Sequence, residues 1–312
     1  MNIIPNVADP APGIYEQISA PVYHSIACAS QSRLKDLLIK SPRRVRYEMD
    51  HPEAPTPAKL LGTAIHTAVL QPDLFTTLYT EAGQCEGTLR TGPRAGKRCD
   101  HEGKARYDGA WYCGTHGPKD PAILPDQVWA LSADDWAACI GIRDEAHSRE
   151  DNPEVAALLD GEARELTVIF IDDETGVRTK ARLDVYDSGL TCITDLKTTR
   201  CAHPVVFRRQ AADLGYHIQA GVYVQAAKIV GLDADDFAFV AAEKVPPYDV
   251  SACPIDHVGI DLGIRDARPL LRLWAECEAS GRWPRYRGVN EFELPEWAVR
   301  RIEERTQEGV AA

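Results

Sequence analysis

The stretch VRTKARLDVYDSGLTCITDLK, residues 177–197, contains the strongest indication of the fold. Its two halves, 177–186 and 190–197, have the residue types and spacing of β-strands. Between them lies Asp187-Ser188-Gly189, a turn sequence that favours a tight connection between antiparallel neighbours. The sequence therefore predicts a β-hairpin here.

This hairpin places acidic residues beside a lysine. Because side chains alternate along a strand, Asp195 and Lys197 share one face and Leu196 points to the other. The turn is expected to bring Asp184 near Asp195. Glu165 begins a preceding predicted strand and is a candidate third carboxylate at the same end of the sheet.

Carboxylates next to a lysine supply what phosphodiester hydrolysis needs, namely hard oxygen ligands for a divalent metal and a cation for developing charge. Taken singly, Asp184 and Lys197 also fit solvated charges at strand ends. The triplet Glu102-Gly103-Lys104, which lies outside any strand pattern, shows that an acidic-x-Lys motif is weak alone. An aspartate buried at a strand end is costly unless it binds a cation or a strong donor. Two such strands side by side therefore indicate a metal site.

Two predicted helices carry further candidates. His66 lies on a helix over 60–70, and Gln219 and Tyr223 lie four residues apart, hence on one face, of a helix over 216–229. By residue type alone, the histidine fits a core residue and the other pair fits a polar seam.

Taken together, these motifs resemble the PD-(D/E)XK nuclease superfamily, in its RecB-like branch and nearest to the RecE (exonuclease VIII) type of phage and prophage exonuclease. The likeness spans roughly residues 25–280 and is interrupted once. The matching motifs are Gly62-Thr63-Ala64-Ile65-His66, Arg182-Leu183-Asp184, Asp195-Leu196-Lys197-Thr198-Thr199 and Gln219-Ala220-Gly221-Val222-Tyr223. Segments that begin at Ser32-Arg33-Leu34-Lys35 and at Leu70-Gln71-Pro72 add to it.

The resemblance implies a role for each matched residue. A magnesium or manganese ion would be the cofactor, and the lysine would position or activate the attacking water. The implied set comprises catalytic Asp184, Asp195, Lys197 and Glu165, metal-binding His66, Asp184, Asp195 and the backbone carbonyl of Leu196, and DNA-contacting Gln219 and Tyr223.

The resemblance also implies a fold of the α/β (α+β) class. Its restriction-endonuclease-like core would have a central mixed sheet flanked by helices, with a small zinc-binding insert. The 312 residues are enough for one large core. The predicted parts are a flexible arm over 1–24, the nuclease core over 25–81 and 121–297, the insert over 82–120, and a charged tail over 298–312.

The insert is predicted from Cys85, Cys99, Cys113 and His116. Three of the nine cysteines fall in this short segment, which lacks core residues. A Cys3His set is typical of structural zinc, and a loop-rich segment this small needs such a staple to fold. Unrelated cysteines are the alternative, and His101, two residues after Cys99, competes for the fourth position.

An iron-sulfur cluster is the other metal centre to consider, because some RecB-like nucleases hold one with four cysteines. In those relatives most of the cysteines follow the Gln-Tyr helix. Here only Cys253 and Cys277 lie there. Zinc is therefore the better interpretation.

The surface of the insert has two interpretations. It is the most basic and aromatic part of the chain, which suits phosphate contact and base stacking. A purely structural zinc loop explains it equally. The residues concerned are Arg90, Arg94, Lys97, Arg98, Lys104, Arg106, Tyr107, Trp111 and Tyr112.

The net charge of −12 opposes binding to a polyanion, so any DNA contact must rely on local positive charge. Arg43 and Arg44 follow Ser41-Pro42 and are predicted to contact DNA. Arg208 and Arg209 follow the hairpin and could extend the same track.

No apolar run is long enough to span a bilayer, no signal peptide is evident, and the cysteines lack disulfide-framework spacing. We therefore expect a protein without membrane contact in the cytoplasm of a bacterial or phage-infected cell.

The leading functional hypothesis is a double-strand DNA exonuclease that digests linear DNA from 5′ to 3′ and leaves 3′ overhangs. By resemblance alone, this implies phage-type recombination, a RecT-like single-strand annealing partner and a homo-oligomeric ring. A zinc-bearing DNA- or protein-binding adaptor that does not cut is the second hypothesis. The third is a nuclease acting on single-strand ends or flaps.

Overall fold

The computed structural model of the chain describes residues 9–16, 18–120, 126, 128–289 and 293–307. The strands are β1 (Gly13–Tyr15), β2 (Ala29–Ser30), β3 (Tyr79–Glu81), β4 (Ala105–Tyr107), β5 (Ala110–Tyr112), β6 (Trp129–Leu131), β7 (Ala163–Ile171), β8 (Arg178–Asp187), β9 (Cys192–Thr199), β10 (Asp236–Glu243) and β11 (Val250–Ile255). The helices are α1 (Ala20–Ser25), α2 (Gln31–Ile39), α3 (Pro42–Asp50), α4 (Pro57–Leu70), α5 (Pro72–Leu78), α6 (Ala133–Ala146), α7 (Pro153–Leu159), α8 (Pro204–Asp213), α9 (Tyr216–Ile229), α10 (His257–Ser280) and α11 (Glu296–Gln307).

A mixed sheet of seven strands forms the centre of the molecule. Its strand order is β1-β7-β8-β9-β10-β11, and β2 pairs with β8 outside this path. Neighbours along the path are antiparallel except β9 and β10, which are parallel. Helices lie on both faces, which confirms the predicted α/β architecture.

The two helical layers bury different side chains of the same strands. On β10, Phe237 and Phe239 belong to the core cluster that includes α9 and α10, whereas Val240 and Ala242 belong to the cluster that includes α4, α6 and α7. This alternation is the side-chain period of a strand with both faces buried. Side chains from both layers can therefore reach the sheet between them.

The predicted hairpin forms, and its two strands then separate. Along β8, the pairing with β9 is confined to residues 185–187, and the pairing with β2 involves residues 179–180. Because β7 occupies the other edge of β8, β2 and β9 must share one edge. Residues 181–184 of β8 thus lie in an opening between β2 and β9, which we call the fork.

The N-terminal segment differs from the predicted flexible arm over 1–24. β1 pairs with β7, with register partners such as Ile14 and Val168, and Tyr23 of α1 contacts Lys180 of β8. The buried ammonium of Lys180 donates hydrogen bonds to the carbonyl oxygens of Tyr23 and Ile26 at 2.7 and 2.8 Å, which satisfies the end of α1. Residues 1–8 and 17 lie outside the described part.

The insert leaves the core after β3 and returns at β6, and these two strands are parallel partners. Inside it, β4 and β5 form a hairpin whose turn, Asp108-Gly109, has positive φ at both residues, as a type I′ turn requires. The Arg106 side chain donates to Asp126 at 2.8 Å. Asp126, past the predicted end of the insert at residue 120, therefore contacts the insert.

Other predicted elements agree within a few residues. The helix predicted over 216–229 coincides with α9, and the one predicted over 60–70 is the later part of α4. The charged tail is helical, but α11 begins at Glu296, inside the predicted core. Within the described ranges, no helix combines the length and apolarity needed to cross a membrane.

Candidate active site

Asp184 lies in the fork and replaces a missing strand contact. Its Oδ2 accepts a hydrogen bond from the backbone N–H of Leu196 at 2.8 Å, just beyond the point where the β8–β9 ladder ends. The carboxylate thus satisfies a donor that the separating strands would leave unpaired. Its side chain is nevertheless buried, with 8% of the residue exposed.

Glu165 and His66 complete a cluster around this carboxylate. The β7–β8 register on either side places Glu165 opposite Asp184. Glu165 has φ 55°, a left-handed conformation that is rare for a residue with a side chain and is often retained at functional sites. His66 reaches in from α4, with Nδ1 3.5 Å from Asp184 Oδ2. One ligand atom from each of the three lies within 4.8 Å of the others.

Two cations and an amide hold the neighbouring carboxylates. Arg182 forms an ion pair with Glu165. Lys197 forms one with Asp195, and the Asp195 Oδ1 also accepts a hydrogen bond from the side-chain amide of Gln219 on α9.

Within the described residues, no lysine or arginine lies within 4.0 Å of the Asp184 carboxylate, whose ion-pair contact is with His66. Burial, reinforced by the carboxylates of Asp195 and Glu165, raises the pKa of Asp184 well above its ordinary range. Burial alone would lower the pKa of Lys197, but the negative charges of Asp195 and Asp184 outweigh burial and raise this pKa. Burial and the Lys197 ammonium lower the pKa of His66, so the imidazole is neutral at pH 7. A buried carboxyl that resists ionisation and a neutral imidazole beside it fit a divalent cation.

The donor set suits magnesium or manganese. Carboxylate oxygens are the ligands such hard ions prefer, and imidazole is accepted by manganese. The structure brings together His66, Glu165 and Asp184. Glu165, the candidate third carboxylate, therefore lies in the cluster. Asp195, also a predicted ligand, contacts Lys197 and Gln219, and its ligand role stays a prediction. The ligand role of the Leu196 carbonyl stays a prediction.

The two residues of α9 that are predicted to contact DNA are buried in the structure. Gln219 is 2% exposed and Tyr223 is 5% exposed. The amide of Gln219 is bound to Asp195, and Tyr223 packs in the core against Phe237. Both face the sheet because α10 covers the other side of α9. Gln219 therefore orients a carboxylate, and Tyr223 supports the core.

Gly221, which lies between these two residues, allows α10 to pack closely against α9. A Cβ on Gly221 would lie 2.4 Å from the backbone nitrogen of Ile264, and one on Gly263 would lie 1.9 Å from the carbonyl oxygen of His217. The backbones of α9 and α10 thus approach to a distance that only glycine permits. This contact fixes the height of Gln219 above Asp195.

Lys35 is a site residue that sequence reasoning missed. Its ammonium lies 5.0 Å from the ring centre of Tyr216, and that of Lys197 lies 5.1 Å from the same ring. Burial and the charge of Lys197 lower the pKa of Lys35 to about 8. The Ser32-Arg33-Leu34-Lys35 motif marked this helix, but the lysine is 162 positions from Lys197. Only the fold brings the two together.

The two arginines that are predicted to contact DNA differ in their surroundings. Arg44 is engaged by Glu48, with its Nε 2.6 Å from the carboxylate, so its charge is partly neutralised. Arg43 is exposed and forms no ion pair within the described residues. Both lie on α3, away from the fork ligands.

The cysteine residues of the insert also converge. One ligand atom from each of Cys85, Cys99, Cys113 and His116 lies within 4.8 Å of the others. His116 Nδ1 is 3.5 Å from the sulfur of Cys85 and 3.4 Å from that of Cys113. The His101 ring nitrogen lies 3.2 Å from the sulfur of Cys99 but outside this four-residue group, so the structure favours His116 as the fourth member.

These distances fit zinc. Zn–S bonds of about 2.3 Å and Zn–N bonds of about 2.0 Å in a tetrahedron require N···S separations of roughly 3.5 Å. Hydrogen bonds from the backbone N–H groups of Thr115 and His116 lower the pKa of Cys113 to about 6, which favours the thiolate that a metal binds.

Comparison with known proteins bears on the fold of the chain. Residues 143–293 match the family described as a PDDEXK-like domain of unknown function. The crystal structure of a candidate exonuclease from Eubacterium rectale is similar over 91% of this chain and 98% of that chain, with 14% sequence identity and a TM-score of 0.52. At that identity the likeness shows the fold.

A phage-related exonuclease from Haemophilus somnus 129PT matches 33% of this chain and 57% of that chain, with 16% identity and a TM-score of 0.25. This match is too partial to carry an argument. No curated protein matches the chain.

Proposed function

We propose that the chain, whose residues 143–293 match a PDDEXK-like domain, is a metal-dependent deoxyribonuclease that hydrolyses phosphodiester bonds. The observation that carries this proposal is Asp184, buried in the fork between Glu165 and His66 with no cation of its own. A structural role alone does not explain why three ionisable side chains meet at a break in the sheet.

His66, Glu165 and Asp184 would hold magnesium or manganese, with the Leu196 carbonyl and Asp195 as further proposed ligands. The bound ion would supply an activated water and a Lewis acid for the phosphate. The residues themselves provide a dry pocket and fixed donors. Zinc in the insert would be structural.

Lys197 acts as a cation in this proposal. Its pKa is raised, so its side chain carries a proton at neutral pH and cannot accept one. An ammonium held by Asp195 and the Tyr216 ring is placed to orient the attacking water and to stabilise charge on the scissile phosphate. Gln219 keeps Asp195 in position for this task.

The finer proposal is a 5′-to-3′ exonuclease on linear double-stranded DNA that leaves 3′ overhangs. The resemblance to RecE-type enzymes supports it, together with a RecT-like annealing partner and a homo-oligomeric ring. These rest on analogy of fold and motif.

The test is incubation of purified protein with linear and closed-circular duplex DNA, labelled separately at each end, with magnesium or with EDTA. Asp195→Ala is the matched inactive variant. We expect magnesium-dependent loss of linear DNA only, beginning at the 5′ end, and no loss with the variant.

Other outcomes point to the other hypotheses. Binding without cutting of any DNA form contradicts the nuclease and favours the zinc-bearing adaptor. Cutting restricted to single-strand ends or flaps replaces the duplex substrate, and nicking of closed circles makes the protein an endonuclease. Release from the 3′ end overturns the proposed polarity.

A further inference from the structure

A second cationic feature lies away from the fork, in a cavity between the end of α10 and the start of α3. Its volume is about 860 Å³. Four arginines line it, together with Trp283 and a single carboxylate, that of Glu276. We call this space the arginine cavity. The arginines that line it are Arg43, Arg282, Arg285 and Arg287.

The four guanidinium groups lack partners among the described residues. Within the described residues, none of them has a carboxylate within 4.0 Å or donates a side-chain hydrogen bond. The neighbouring Arg44 and Arg46 on α3 are both bound to acids of the same helix, at 2.6 and 2.7 Å. In a chain with 47 acidic and 35 basic residues, four unpaired arginines around one cavity are a local reversal of charge.

The segment that carries three of the arginines is anchored. The Tyr286 hydroxyl accepts a hydrogen bond from the backbone N–H of Ser41 at 3.1 Å, and Arg43 N–H donates to the carbonyl of Pro284 at 3.0 Å. Trp283 packs edge-on against the buried Trp274, with ring centres 5.2 Å apart. The charges are therefore held near one another by the fold, at a cost that a bound anion would offset.

The cavity is connected to the fork through α2. Lys35 lies on this helix and shares the Tyr216 ring with Lys197, while Ser41, just past the same helix, contacts Tyr286. Lys35 and Ser41 are separated by at most roughly 13 Å, about 6 Å along four residues of α2 and about 7 Å along the two extended residues past its end. One continuous strand of DNA is long enough to meet both.

We propose that the arginine cavity binds backbone phosphates of the DNA strand whose scissile bond lies at the fork. This rests on the proposed nuclease function and adds a second contact to it. Guanidinium groups form bidentate hydrogen bonds with phosphate, and four of them match a run of phosphates better than a single anion. Sequence-independent contact of this kind also answers the net negative charge of the chain.

The experiment compares the full-length wild type with the variant Arg282→Gln/Arg285→Gln/Arg287→Gln. Binding of short fluorescent single-stranded and duplex DNA is measured by anisotropy in EDTA over a series of salt concentrations. Each phosphate contact contributes about 0.9 to the slope of log affinity against log salt for duplex, and about 0.7 for single strands. We expect the variant to lose about two to three units of slope and to bind at least tenfold more weakly.

The matched control is Arg300→Gln/Arg301→Gln/Arg305→Gln on α11, which removes the same charge from another part of the chain. It is expected to keep the wild-type slope. Equal losses in both variants would reduce the effect to net charge and overturn the proposal, as would an unchanged slope in the cavity variant. Arg285→Gln alone, with a loss of about one unit, covers the case in which the triple variant misfolds.

Hydrolysis of bis(p-nitrophenyl) phosphate separates this inference from the proposed function. The small ester cannot span both sites, so the cavity variant should cleave it at the wild-type rate with magnesium. If the wild type cuts DNA and the variants do not differ in DNA binding, the cavity proposal is contradicted and the nuclease proposal stands. Arginine-dependent binding without hydrolysis of any ester defeats the nuclease and leaves the cavity as a DNA site.

Discussion

The carboxylates of the fork lie on long strands of a seven-stranded sheet, whereas the thiols of the insert lie in loops beside strands of three residues. At the fork, packing elsewhere holds together charges that repel one another. In the insert, little apolar surface is buried, and the four ligands are themselves the centre of the structure. We therefore expect a metal to serve chemistry at one site and folding at the other, and ligand removal to act in opposite directions on stability.

Cys113→Ser should have the largest effect on that comparison. Structural zinc contributes about 10–16 kcal/mol of apparent folding free energy in small zinc peptides. We expect the variant to lose its bound zinc and the hydrogen-exchange protection of residues 82–120, while the central sheet stays protected. Cys253→Ser, outside the insert, is the control and should keep one zinc per chain. Protection of the insert without zinc would contradict the comparison.

Lys197→Ala should break the chemistry while leaving both folds intact. Loss of a fixed charge-stabilising donor typically lowers kcat by about 10²–10³-fold. We expect that loss in magnesium-dependent DNA hydrolysis, with a melting temperature close to the wild type. Lys228→Ala, which removes a surface lysine paired with Asp235, should cut DNA normally. Full activity of Lys197→Ala would remove the lysine from the mechanism.

Gly263→Ala tests whether the fork depends on distant packing. The new methyl group would meet the carbonyl of His217, so α9 and α10 must separate, at a cost of about 1–3 kcal/mol. The free energy of unfolding should fall by that amount, and activity should fall with it as Gln219 moves from Asp195. Gly62→Ala has its nearest contact at 4.0 Å and is the control. It should be neutral or stabilising in a denaturant titration.

Asp184→Asn should sharpen the contrast, because it removes activity and increases stability. The raised pKa means that the ionised carboxylate opposes folding. This destabilisation is absent below the ordinary pKa of about 3.9 and grows as the pH rises through the folded-state pKa. In EDTA near neutral pH we expect the variant to be more stable by about 0.5–2 kcal/mol, a difference that disappears below about pH 4. Lower stability than the wild type at pH 7 would count against a strained fork.

Lys35→Met should give the smallest effect. The pKa of Lys35 is lowered to about 8, so between that pH and its ordinary value near 10.5 the unfolded chain binds more protons. Wild-type stability should therefore rise across this window on account of Lys35. The variant should be modestly more stable at pH 7 and lose its advantage above about pH 10.5 in EDTA. A constant difference over the whole range would show that Lys35 titrates normally.

Local pattern was sufficient for much of the fold. The hairpin follows from the turn at 187–189 and from strand residue types on either side, and α9 follows from helical spacing over its own length. In both cases the signal and the structure occupy the same residues. The convergence of Asp184 with Glu165 was also accessible, because consecutive antiparallel strands align neighbouring ends.

The errors arise where the outcome depends on distant residues. Gln219 and Tyr223 have the residue types of a polar seam, and only the packing of α9 against the sheet buries them, beside Asp195 and Phe237. Ser30 and Gly13 gave no sign that β2 and β1 would join the sheet, since each strand is too short to have a period. The position of Lys35 beside Lys197 likewise depends on how α2 packs against the start of α9.

The parallel pairing of β3 with β6 has a consequence for how such a chain is assembled in evolution. Tyr79 and Trp129 are register partners, so the insert leaves and rejoins the core on adjacent strands of a small sheet of their own. None of the strand pairs of the central sheet passes through it. One gene segment can therefore be gained, lost or exchanged at this point while the fork is inherited unchanged, and nucleases with and without the insert can descend from one core.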